Sequence, residues 1–139
     1  MGWSLPRCRL SVIHHYGQAA GDKLAALLTT HITDAVPVLQ AAQAGDQAAL
    51  ATAETAWYTN ATEIADFLSA ANPKNWPASA TEPMMKAHIT QTITYSVDLL
   101  NGDYAQAIKD YDLANDHMAM MADFLSAGIA AQFPAKLTP

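Results

Sequence analysis

At 139 residues, 51% hydrophobic and only 14% charged, the chain is long enough for one cored domain and too apolar for disorder. Seven basic residues against 13 acidic ones leave a net charge of −6, and no clustered basic face offers the counterion release that nucleic-acid binding needs. The single cysteine, Cys8, excludes an intrachain disulfide framework and a Cys-based zinc site.

Residues 1–17 read as an irregular, locally basic tail containing Trp3, Pro6, Arg7, Cys8 and Arg9. Arg9 to Tyr16 is expected to be the end of a partial helix closed by Gly17. Met1 to Ser11 lacks the apolar stretch and cleavage site of a secretory leader, and Pro6 stands where a myristoylation signal wants Ser or Thr. No apolar run approaches the roughly 20 residues of a membrane span. A soluble cytoplasmic protein is expected.

Residues 18–73 predict a helix hairpin. Leu24, Leu27, Leu28, His31, Ile32, Ala35, Leu39 and Ala42 recur at three-and-four spacing, the period of a helix that buries one side. Gly45 suits the left-handed helix end, and Asp46 the cap of the next helix. Leu50, Ala53, Trp57, Ile64, Phe67 and Leu68 mark that helix, which should stop at Asn72-Pro73. Pro37, lacking an N–H, should kink or loosen the first helix. Residues 74–80 form a Pro-rich connector holding Trp76, a side chain suited to fastening a loop or facing a ligand. Residues 81–134 predict a second hairpin: Met84 to Leu100, Gly102-Asp103, then Ala107 to about Ala131, stopped near Pro134. Residues 135–139 are a tail.

The two hairpins repeat one another. His31-Ile32-Thr33 returns as His88-Ile89-Thr90, Gly45-Asp46 as Gly102-Asp103, and Ala65–Ala70 (ADFLSA) as Ala122–Ala127, all 57 positions apart. Three blocks in one register without a gap indicate an internal duplication. The expected fold class is therefore all-α: an antiparallel four-helix bundle made of two duplicated hairpins, plus the partial N-terminal helix.

The same register yields the candidate site. Residues equally far from a hairpin turn lie at one height, at about 1.5 Å of rise per residue. His31, Asn60, His88 and His117 then share a cross-section of an Ala- and Leu-rich core. Such a polar layer is costly unless satisfied. Three imidazoles from facing helices make a possible transition-metal site. Asp34, Glu63 and Asp116 lie near enough to orient the rings or to bind as well. Met84, Met85, Met118, Met120 and Met121 would suit a soft ion such as copper(I). A hydrogen-bonded layer that fixes register between similar hairpins explains the same residues without a metal. His14-His15 reads as an exposed pair. Asp110-Tyr111-Asp112 matches an acidic metal motif of sugar-nucleotide enzymes, but sits mid-helix and reads as chance. P-loop, dinucleotide, nucleophile-elbow and zincin motifs are absent. Ser69 and Ser126 have no histidine beside them in sequence.

Tyr16–Gly21 (YGQAAG), the LLTTHI segment through Ile32, Glu63–Pro77 (EIADFLSAANPKNWP), Met84–His88, Asp116-His117, MADFLSAGI from Met121 and Gln132-Phe133-Pro134 together resemble a family of small bacterial helical proteins. Its members mostly lack an assigned activity and often carry a glycosyltransferase label. The resemblance spans roughly residues 12–139, Asn-Pro-Lys-Asn-Trp-Pro being its most specific part. Family members carry a further N-terminal helical segment with its own histidine, which Met1 to Ser11 does not resemble, as in a shortened or altered start. An all-helical chain has neither the α/β sheet nor the phosphate loop that sugar-nucleotide transfer needs. No catalytic constellation is evident. The functional expectation is a bundle acting by binding or assembly, with homo-oligomerisation through an apolar helix face; the alternative is a metal-binding bundle.

Overall fold

Four long helices make up most of the described residues, 13–136, of the computed structural model. They are α1 (Gln18–Ala44), α2 (Gln47–Ala71), α3 (Ala78–Asn101) and α4 (Tyr104–Gln132), followed by a 3-10 turn at Pro134–Lys136. No strand occurs among the described residues. The all-α helical bundle is the expected class. A helical turn at Ile13–Tyr16 precedes α1 and is closed by Gly17 at φ 92°. The rest of the expected N-terminal segment, Cys8 included, lies outside the described residues.

The two hairpin turns have the same construction. Gly45 and Gly102 take left-handed φ of 69° and 80°, and in each turn the next N–H reaches back to close the helix end, Asp46 to the Ala41 carbonyl and Asp103 to that of Asp98. The Asp46 and Asp103 carboxylates accept from the backbone N–H of Ala49 and Gln106 at 3.0 and 3.3 Å. Asp46→Ala and Asp103→Ala should each cost about 1 kcal/mol. Thermal melts of the two variants check this, with similar losses expected at both turns.

Pro37 does not end α1, which stays helical to Ala44. The first helix of the second hairpin begins at Ala78, within the expected connector and ahead of Met84. The Pro77 carbonyl starts it by accepting from the N–H groups of Ala80 and Thr81. The connector is fastened from within. Asn72 donates through Nδ2 to the Gly128 carbonyl at 2.9 Å and accepts through Oδ1 from Asn75 at 2.8 Å. Trp76 is buried, with Tyr16 across it at 6.0 Å between ring centroids. Trp76 therefore pins the connector.

Packing runs α1 on α2, α2 on α3 and α3 on α4, with a lesser contact between α1 and α3. α1 and α4 make no comparable contact. They are linked at the end away from the hairpin turns, where Tyr16 donates to Gln132 Oε1 at 2.6 Å and its ring meets Phe133 edge-on. The core gathers Val38, Trp57, Ala61, Ile64, Leu68, Met85, Ile89 and Met121. Ile32 and Leu39, expected on the inward stripe of α1, are instead exposed, while Val38 and Ala41 are buried. Among the described residues no helix covers that flank of α1, so the buried arc is narrower than the apolar one. Many surface threonines, among them Thr29, Thr55 and Thr94, donate to the carbonyl four residues earlier. Much of the helix surface is thus polar but uncharged.

Candidate functional site

His31 on α1 and Asn60 on α2 are buried; His88 on α3 and His117 on α4 are half-buried. The side chains meet in sequence of contact. His31 Nδ1 lies 2.9 Å from Asn60 Oδ1, and Asn60 Nδ2 donates to the Leu27 carbonyl at 3.1 Å. With its amide nitrogen committed to a carbonyl, Asn60 presents its oxygen to the ring. His31 therefore carries its proton on Nδ1 and its lone pair on Nε2. His117 Nε2 donates to the Met84 carbonyl at 3.0 Å. Between them His88 stacks on His31, with centroids 5.6 Å apart and planes 26° from parallel. Trp57 lies 5.6 Å from His31 on another side.

His88 is the strained member. Its Nδ1 is buried without a hydrogen-bond partner among the described residues. Burial above all, then the neighbouring His31 and His117, pushes its pKa down to about 4. Burial also lowers His31, against the raising effects of the Asn60 hydrogen bond and the Asp34 charge. Near neutral pH His88 is uncharged. Two neutral rings can stack closely where two imidazolium ions would repel.

Of the expected additional ligands, Asp34 is half-buried and acts on His31 electrostatically. Glu63 and Asp116 are exposed. Among the described residues no group of three or more His, Cys, Asp or Glu side chains is placed to hold a metal ion. The stacking gives a reason. Near-parallel rings 5.6 Å apart do not aim in-plane lone pairs at one point ~2 Å from each nitrogen. Met84, Met85 and Met121 are buried, whereas Met118 and Met120 are exposed, so the methionines are divided between interior and surface. Asp110 serves α4 locally, accepting from Gln106 Nε2 at 3.0 Å. The expected exposed pair His14-His15 is only half so: His15 is half-buried, with its ring 5.3 Å from Phe133. A shallow groove between α2 and α3, lined by Glu54, Tyr58, Thr62 and Lys86 among others, lies on the outer face and holds no nucleophile–base pair.

Two features were not foreseen. One is the fit of Gly128 against Trp76, where an added Cβ would overlap the indole. Its sequence signal is the return of Trp76-Pro77 as Phe133-Pro134 in the repeat register. The other is a difference in burial between residues 57 positions apart. Ile89 is sealed at 0% exposure while Ile32 stands at 56%; Ala61 is sealed at 0% while Met118 stands at 45%.

Comparison with protein-family models, curated proteins and solved structures returns no match. What the chain can do is therefore read from its own geometry: an all-helical bundle with an imidazole layer inside and apolar side chains on its outer helices. No helix among the described residues is long and apolar enough to cross a membrane.

Proposed function

We propose that this protein acts by binding, as an assembly module whose outer helices take part in a protein–protein contact. The observation that carries this reading is the row of large apolar side chains on α1 (Ile32, Val36, Leu39) and α4 (Tyr104, Ile108, Tyr111), all exposed. Contiguous apolar surface of this kind marks interaction sites more than singly scattered side chains do. The imidazole layer serves the fold in this reading. Its hydrogen bonds fix the register of α1 on α2 and of α4 on α3, a use of buried polar groups known from helix assemblies. The family resemblance and a cytoplasmic setting are compatible with it. A glycosyltransferase activity is not proposed, since the described residues form no sheet and the sequence carries no phosphate-loop motif for a nucleotide sugar. Sedimentation velocity over a rising concentration series tests the proposal. Species heavier than the 14.8 kDa chain are expected; monomer alone throughout would overturn it.

A second reading, transition-metal binding at His31, His88 and His117, is favoured by one observation: the buried His88 Nδ1 has no hydrogen-bond partner among the described residues. It requires the stacked rings to turn toward one another. Elemental analysis of untagged protein beside a His88→Ala/His117→Ala variant tests it. Stoichiometric metal lost in the variant supports the site, and none in either protein removes it.

A further inference from the structure

We propose that the partner is a second copy of this chain, docked head to tail, so that α1 of one molecule packs on α4 of the next. The contact would rebuild between molecules the junction that α2 and α3 make within one. This rests on the assembly reading above and specifies its partner and geometry.

α2 and α3 are joined by Tyr58 Oη and Thr90 Oγ1 at 2.8 Å, and by Thr81 donating to the Ala65 carbonyl at 3.4 Å. Ala61 and Ile89 are sealed in the same core cluster, with Ile93 packed against it. Moving back one repeat, Ile89 and Ile93 become Ile32 and Val36 on α1, exposed by 56% and 51%. Moving forward, Ala51, Glu54, Tyr58 and Ala61 become Ile108, Tyr111, Asn115 and Met118 on α4. Ile108, Tyr111 and Met118 are exposed by 63%, 55% and 45%. One side of the internal junction is thus repeated, uncovered, at one end of the row of hairpins, and the other side at the opposite end.

The chemistry of the two uncovered faces agrees. The α1 stripe Leu28, Ile32, Thr33, Val36 and the α4 stripe Ile108, Tyr111, Asn115, Met118 contain no charged residue. Where the internal junction has Glu54, the outer one has Tyr111. The hydroxyl pair Tyr58–Thr90 maps onto Asn115 of one copy and Thr33 of the next, again a donor and an acceptor. Two different faces meeting this way form a heterologous contact, which adds subunits until a ring closes or a filament grows. Stacked hairpin repeats bury their cores by the same nearest-neighbour logic.

Two variants test this, each spoiling one face at exposed positions: Ile32→Glu/Val36→Glu on α1 and Ile108→Glu/Met118→Glu on α4. Circular dichroism checks that both remain helical, and sedimentation velocity is run on the wild type, each variant and their mixture. The expected result is a growing series of wild-type species, monomers for each variant alone, and a mixture that stops at a dimer containing one of each. A variant that still dimerises alone, or a mixture that stays monomeric, overturns the head-to-tail contact while leaving assembly standing. A wild type that is monomeric at every concentration overturns both readings.

Discussion

At pH 4 the protein is expected to be about 3 kcal/mol less stable than at pH 7 on account of His88 alone. The imidazole has a model value of 6.5 and is pushed down to about 4 in the fold, first by burial and then by His31 and His117. Between those values the unfolded chain binds a proton that the folded chain refuses. Stability from this group is therefore full above pH 6.5 and falls as the pH drops toward 4. Below 4 both states are protonated and the loss levels off. His31 contributes in the same direction, its pKa also lowered by burial. Asp98 works oppositely, because its hydrogen bond to Asp110 holds it above the usual carboxylate range. The difference between wild type and His88→Leu is thus the informative quantity. Urea unfolding at several pH values should show a shallower acid loss in His88→Leu. An unchanged loss would mean that His88 is not held neutral by the layer.

The second large effect is expected at a single hydrogen. Gly128→Ala should lower stability by about 2 kcal/mol, the overpacking cost outweighing the gain in helix propensity. A Cβ there would overlap the Trp76 indole, with Cε2 at 2.6 Å and Cδ1 at 2.8 Å. The ring cannot easily give way, since Trp76 is buried and fastened between Tyr16 and α4. In a Trp76→Ala background the sign should reverse, with Gly128→Ala gaining up to ~1 kcal/mol from helix propensity. A denaturation cycle over the four proteins reads this directly; additive losses would contradict the contact.

Much of this fold was legible because helices, turns and caps obey local rules. Gly45-Asp46 and Gly102-Asp103 marked both hairpin turns, and the distance of each polar residue from its turn brought His31 level with Asn60. Spacing does not contain ring orientation. Whether His31 and His88 stack or converge depends on rotamers set by tertiary neighbours such as Trp57 and the Leu27 carbonyl. Periodicity likewise reports that Ile32 lies on an apolar stripe, but not whether another helix stands over it. The start of α3 at Ala78 was hidden because Pro77 reads as a connector residue, whereas here it is the cap residue immediately before the helix. Gly128 was overlooked because the return of Trp76-Pro77 as Phe133-Pro134 marks the aromatic residues but not which helix position each ring lies against.

One kind of junction is closed inside the molecule, between α2 and α3, and its two sides are proposed to stand open on α4 and α1. Solvent accessibility of isoleucine methyl groups, read by NMR with a soluble paramagnetic agent at low and high protein concentration, tests it most directly. Ile89 should be shielded at both concentrations. Ile32 and Ile108 should be accessible in dilute solution and become shielded together as the concentration rises. Methyls of Ile32 and Ile108 that stay equally accessible at both concentrations would contradict the account.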